Sequence, residues 1–154
     1  MNVRNMQAQD IVNVLAIEQS ANQFPWDKKS FEDSLKTGHE AWVFYEQADD
    51  IIGFAIVQRV LDEAHLLNIC VKPTAQGRGL GKAIVQHVID YANSISAVII
   101  LLEVRRSNER AQQLYLNIGF NEMSVRKSYY PAKEGREDAI LMAMDLDLIS
   151  FFKE

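Results

Sequence analysis

Apolar and polar positions change their period repeatedly along this chain, and each change marks an element. Residues 1–6 alternate weakly, as a first strand would. Over residues 7–23, Ile11, Val14 and Leu15 recur at helical spacing, with Glu18 and Ala21 a turn later. Phe24-Pro25-Trp26 stops that helix. Asp27 is placed to cap a second one that runs through Phe31 and Leu35 to Gly38. Residues 41–46 and 51–60 read as strands joined into a hairpin by Gln47-Ala48-Asp49-Asp50, and residues 64–71 as a third strand in succession. A glycine-rich stretch then opens a long helical run through Ile84, Val88 and Tyr91. Residues 97–104 are apolar except for Glu103, a pattern suited to a strand buried on both faces. Asn108 can cap a helix whose Ala111, Leu114, Tyr115 and Ile118 share a face, with Gly119 at its C-terminal cap. Residues 120–129 and 138–146 close the pattern as two strands around the loop 130–137. The predicted order is β-α-α-β-β-β-α-β-α-β-β, an α/β (α+β) mixed sheet with helices on its faces.

A chain of 154 residues, 48% hydrophobic and 24% charged, has the makings of a packed globular protein. The expectation is one domain over residues 1–147 and a short tail, residues 148–154, carrying Leu148, Ile149, Phe151 and Phe152. A net charge of −5 argues against a broad nucleic-acid face and favours attraction of a basic peptide. Cys70, the one cysteine, excludes an internal disulfide and reads as a packed thiol. His39, His65 and His87 are scattered without ligand spacing, so no metal is expected. With no signal segment and no apolar run near the ~20 residues of a membrane span, a cytoplasmic protein without membrane contact is expected, by default a monomer.

The chemistry begins at Gln76-Gly77-Arg78-Gly79-Leu80-Gly81, between an apolar strand and a helix. Such a loop presents N–H groups outward, and the helix dipole adds about half a positive charge, which together hold phosphate. Two familiar phosphate loops fail on spacing. In a Walker loop Gly81-Lys82 would need Ser or Thr next and glycine at position 76, but Ala83 and Gln76 stand there. A dinucleotide fingerprint would need glycine at position 82 or 84, where Lys82 and Ile84 stand. What remains is Gln-x-x-Gly-x-Gly, or an ordinary glycine-rich connection.

Two motifs resolve that choice by resemblance. The glycine loop, followed by Asn108, Ala111, Leu114-Tyr115 and Ile118-Gly119-Phe120, resembles the signature of the GNAT superfamily of N-acetyltransferases, and the element order matches over nearly the whole chain. The resemblance implies an acyl-CoA N-acyltransferase fold with acetyl-CoA as co-substrate and no metal. It implies that Gln76, Gly77, Arg78, Gly79, Leu80, Gly81 and Lys82 hold the pyrophosphate. Ile69, Cys70 and Val71 would pair with the pantetheine arm like an added strand, one N–H there receiving the thioester oxygen. Asn108 would bond the pantetheine or orient the site; read from the residues alone it is a helix cap. Glu103 would be the general base, directly or through water, and otherwise a solvated charge at a strand end. Tyr115 would be the general acid, and otherwise a core side chain.

Further segments narrow the resemblance: Phe24-Pro25-Trp26, Leu61-Asp62-Glu63-Ala64, Leu102-Glu103-Val104-Arg105, Tyr129-Tyr130-Pro131 and Gly135-Arg136-Glu137-Asp138-Ala139. They are similar to those of bacterial enzymes that acetylate the N-terminal alanine of a small-subunit ribosomal protein. The N-terminal segment of that protein would be the partner. Asp62, Glu63, Glu137 and Asp138 could receive a basic residue of such a peptide and Tyr129-Tyr130 could wall its channel. Phe24-Pro25-Trp26 either lines the mouth or staples two helices. A small amine or a lysine side chain stays open as acceptor, and so does a non-catalytic acyl-CoA-binding module.

Overall fold

A computed structural model describes residues 1–47 and 50–147 of the chain. Among these residues seven strands and four α-helices follow the predicted order. They are β1 (Asn2–Asn5), α1 (Ile11–Ala21), α2 (Lys28–Thr37), β2 (Glu40–Tyr45), β3 (Ile51–Val60) and β4 (Glu63–Val71). After these come α3 (Leu80–Ser94), β5 (Ile99–Arg105), α4 (Glu109–Ile118), β6 (Asn121–Pro131) and β7 (Arg136–Asp145). The apolar tail 148–154 and the centre of the β2–β3 turn, Ala48-Asp49, lie outside the described residues.

The chain divides into two compact units, Met1–Arg59 with Leu67–Val88, and Val60–Leu66 with the chain from Ile89 onward. β4 therefore contributes its first four residues to the second unit and Leu67–Val71 to the first.

In the first unit the strand order is β1-β2-β3-β4. β2 pairs antiparallel with both neighbours, from Asn2↔Tyr45 to Asn5↔Trp42 and from Glu40↔Val57 to Tyr45↔Ile51. Successive residues of a strand face opposite sides. Val43 accordingly joins a buried cluster with Val14, Ile17, Phe31, Phe54 and Ile56, below α1 and α2. Its neighbours Trp42 and Phe44 meet the His87 ring of α3, at 4.8 and 5.5 Å between centroids. Helices thus cover both faces here, and each buried large apolar side chain contributes about 1.5–3 kcal/mol. The first helix begins later than its periodicity suggests, because residues 8–10 form a 3-10 turn. Asp10 sits in that turn, its carboxylate accepting from the Arg4 guanidinium at 2.7 and 2.8 Å and from the Gln7 N–H at 2.8 Å. Asp27 caps α2 as expected, accepting from the Ser30 N–H at 2.8 Å.

In the second unit the order is β4-β5-β7-β6. β4 runs parallel to β5 from Glu63↔Ile99 to Leu66↔Leu102, and the other pairings are antiparallel. The apolar run on β5 departs from its expected burial. Ile100, Leu102 and Val104 are buried, whereas Ile99, Leu101, Glu103 and Arg105 are half-buried. Apolar composition alone hid this alternation, since Ile99 and Leu101 look the same in sequence whichever face they take.

Candidate active site

The donor half of the expected site lies in the first unit. Gly77 and Gly79 adopt φ of 82° and 77°, a left-handed backbone that side chains resist. Nothing lies within 4 Å of a Cβ built on either, so the requirement there is conformational and the space above the loop stays open. α3 starts at Leu80, and its first turn closes with the Ala83 N–H bonding the Gly79 carbonyl at 3.2 Å. The N–H groups ahead of that bond have no intrahelical acceptor, which fits the loop to a pyrophosphate. Gln76 folds back, its Nε2 donating to the Val71 carbonyl at 3.0 Å, and so ties the loop to the end of β4. Arg78 takes an arrangement that spacing did not suggest: its Nη1 and Nη2 donate to Glu46 Oε1 and Oε2 at 2.8 and 2.6 Å.

Leu67–Val71 of β4 continues past the pair Leu66↔Leu102. Ile69 and Val71 are half-buried and Cys70 is buried. Burial, with the charge of Glu18 added, pushes the Cys70 thiol up to about 12, so it is the packed thiol expected. Gly53 on β3 makes this stretch possible. A Cβ there would stand 2.8 Å from the Cys70 carbonyl oxygen and 2.9 Å from Ile84 Cδ1. Sequence reading passed over Gly53, although a glycine inside an apolar strand signals close backbone approach.

The acid–base half lies in the second unit. Glu103 is half-buried near the end of β5, with Arg126 Nε at 3.5 Å from Oε1. Tyr115 is 6% exposed on α4, its ring 5.7 Å from that of Phe120. Burial pushes its phenol well above the ordinary range, and the neighbouring Tyr130 adds to this. Tyr130 is itself raised to about 12, by burial first and then by the Glu103 charge. Glu103, Tyr130 and Tyr115 thus form a chain of electrostatic neighbours. Asn108 caps α4, its Oδ1 accepting from the Ala111 N–H at 3.1 Å.

Tyr129-Tyr130 owes its placement to a break in β6. Between Arg126 and Tyr130 the register shifts, with Ser128 at φ 52°. The Ser128 N–H donates to Asp138 Oδ1 at 2.9 Å, and Arg136 donates to the Ser128 and Tyr129 carbonyls at 2.8 and 2.6 Å. Bulges of this kind re-aim side chains. Arg105 completes the arrangement, its guanidinium 4.4 Å from the Tyr130 ring centroid and donating to Pro131 O at 2.7 Å and Glu137 Oε1 at 2.8 Å.

Those bonds change the reading of the acidic residues. Glu137 is taken up by Arg105 and the Ser107 N–H, Asp138 by Arg106 and the Ser128 N–H, and Glu63 by His65 at 2.9 Å. Each already has an internal partner, so none stands ready to receive a basic substrate residue without an exchange. The Trp26 ring lies 5.3 Å from Phe31 of α2, which in turn meets Phe54 edge-on at 5.5 Å. A groove of about 490 Å³ between α1 and α2, lined by Ile11, Val12, Leu15 and Leu35, holds none of the expected site residues. Among the described residues no group of His, Cys, Asp and Glu is arranged to hold a metal, and no helix is long and apolar enough to cross a membrane.

This arrangement has counterparts among known proteins. A ribosomal protein bS18-alanine N-acetyltransferase of Escherichia coli is 40% identical over 148 residues, 95% of this chain and 98% of its own length. One of Salmonella typhimurium is 44% identical over 140 residues, 90% of this chain and 93% of its own. The crystal structure of the E. coli enzyme superposes with a TM-score of 0.87 at 40% identity, covering 94% of this chain and 92% of that one. The model of the acetyltransferase (GNAT) family matches residues 11–120, the span that carries the glycine loop, Glu103 and Tyr115, and the chain belongs to that family.

Proposed function

We propose that the chain is an acetyl-CoA-dependent Nα-acetyltransferase acting on the N-terminal alanine of a small-subunit ribosomal protein in the cytoplasm, with residues 1–147 as its single domain. The observation that carries the acceptor is the near full-length likeness to enzymes named for that substrate, at 40% and 44% identity. The donor rests on family membership and on the open, left-handed glycine loop.

The acceptor amine must lose its proton before it can attack. An α-amino group, with pKa about 7.7–8.0, is roughly one-tenth neutral at pH 7, against about one in a few thousand for lysine near 10.4. A single carboxylate such as Glu103 is base enough for the former. The nitrogen then forms its bond to the acetyl carbon, the carbon–sulfur bond breaks, Glu103 takes the nitrogen's proton, and the CoA thiolate leaves as a thiol. The backbone around Ile69, Cys70 and Val71 binds the pantetheine, and an N–H there receives the charge that builds on the carbonyl oxygen. Gln76 through Lys82 hold the pyrophosphate, and Asn108, besides capping α4, orients the acid end of the site.

Burial keeps Tyr115 protonated at neutral pH and so suits it to donate. It also makes the phenol a weak acid relative to a thiol near 8.5. Tyr115 therefore hydrogen-bonds the sulfur and passes its proton as the carbon–sulfur bond opens. The test is incubation with acetyl-CoA and a peptide beginning with free alanine, beside the same peptide N-terminally blocked and carrying lysine. Acetylation confined to the free terminus is expected. Acetylation of lysine instead, or binding without turnover, overturns the reading.

A further inference from the structure

Glu18 is a carboxylate in an expensive place. It is 2% exposed, and it stands in the last turn of α1, where the helix dipole disfavours negative charge. Its hydrogen-bond partners are neutral amides. Asn22 Nδ2 donates to Oε1, while the Trp26 N–H at 3.1 Å and Asn68 Nδ2 at 2.9 Å both donate to Oε2. A buried charge held by neutral donors costs more than a packed apolar side chain in the same volume. Glu18 lies on the buried stripe of α1 with Ile11, Val14 and Ile17, at a position where helix amphipathicity calls for an apolar side chain.

The donors account for it by where they lie. Asn22 is the C-cap of α1, Trp26 closes the Phe24-Pro25-Trp26 segment, and Asn68 immediately precedes Ile69 on β4. Through one oxygen, Glu18 joins the backbone of the α1–α2 connection to the strand assigned to the thioester. Fifty residues separate Glu18 from Asn68, and no intervening turn could set their distance.

We propose that Glu18 is a positioning residue of the acceptor site: by bonding Trp26 N–H and Asn68 together, it locks the α1–α2 connection against β4 and so fixes the path by which the amine reaches the thioester. The assignment rests on the acetyltransferase reading above. Glu18 touches neither substrate, and its effect passes through Trp26 and Asn68.

The test compares wild type, Glu18→Gln, and a double variant in which Glu18→Leu is combined with Asn68→Leu. The double variant removes both polar partners at once, which limits buried unpaired groups and preserves the fold. Three quantities are measured: acetyl-CoA affinity by calorimetry, kcat/KM for the free-alanine peptide, and hydrogen exchange of the Trp26 amide. In the double variant, peptide kcat/KM should fall by ~10²-fold, as for a misplacement of about 1 Å. Trp26 exchange should rise by ~10-fold or more, with acetyl-CoA affinity kept. Glu18→Gln should recover most of the peptide activity, since its oxygen serves Trp26 and Asn68 while the Asn22 amide turns over to meet the new NH2.

Unchanged Trp26 exchange, unchanged peptide kcat/KM in the double variant, or an equal loss of acetyl-CoA affinity would each overturn the proposal. A wild-type chain that binds acetyl-CoA yet ignores the peptide overturns the acceptor reading alone. Trp26 exchange, with kcat/KM for the lysine-bearing blocked peptide, then decides the role of Glu18.

Discussion

Arg126 reaches across β7 to place its Nε 3.5 Å from Glu103 Oε1, so the proposed base stands opposite a guanidinium. The arginine side chain is 55% exposed and the glutamate 24%, which leaves the cation free to move aside when the acceptor enters. Exposed pairs of this kind contribute little, on the order of 0–1 kcal/mol. Glu103→Gln should therefore lower turnover by ~10²–10⁴ at neutral pH with acetyl-CoA affinity retained, whereas Arg126→Ala should stay within a few-fold of wild type. Steady-state rates from pH 6 to 9 check both, and equal rates for Glu103→Gln and wild type throughout would remove the base assignment.

The two raised phenols give a pH prediction with a definite sign. Tyr115 and Tyr130 ionise later in the folded protein than in the unfolded chain, whose phenols titrate near 10. Their neutral forms support the fold fully below about pH 10, and that support is lost only as pH rises through the folded values. No alkaline fall in kcat below about pH 10 should trace to Tyr115. Tyr115→Phe should slow acetylation and spare acetyl-CoA binding. An ultraviolet titration should show a late-ionising phenol that is absent from Tyr115→Phe.

Gly53→Ala tests the close approach of β3 to β4. Its new methyl would meet backbone, the Cys70 carbonyl at 2.8 Å, which cannot swing away as the end of a side chain could. Overpacking of this kind costs about 1–3 kcal/mol. Thermal melting should show the loss, and KM for acetyl-CoA should rise because the displaced carbonyl belongs to the proposed pantetheine strand. A variant with wild-type Tm and KM would contradict the account of β4.

For the glycine loop, the Arg78–Glu46 bonds imply a tether. If Arg78 positions the loop through Glu46, then Arg78→Ala and Glu46→Gln raise KM for acetyl-CoA by similar factors, and the double variant is no worse than either. If Glu46→Gln instead tightens binding, Arg78 serves the phosphate directly and is merely held back by the glutamate.

Element type and order were legible because the apolar period and the caps agree, as at Asp27, Asn108 and Gly119. What escaped notice depended on tertiary distance. Glu18 reads as one more position on a helix until Asn68, fifty residues away, is brought beside it. Gly53 looks like a weak point in a strand until the Cys70 carbonyl fills the space where its side chain would be. Glu137 and Asp138 looked available because their arginine partners, Arg105 and Arg106, lie on a different part of the chain. The expected burial of β5 on both faces failed for a simpler reason: Ile99 and Leu101 are apolar residues on a half-covered face.

Cys70 bears on the chemistry through what it does not do. The proposed reaction releases its carrier as a free thiol, and a reactive cysteine on the strand that binds it could be trapped with it as a mixed disulfide. Disulfide exchange needs a thiolate. At pH 7 a thiol held at about 12 is ionised in roughly one molecule in a hundred thousand. The enzyme should therefore turn over equally well with or without added reductant, and keep its activity in the presence of oxidised coenzyme A.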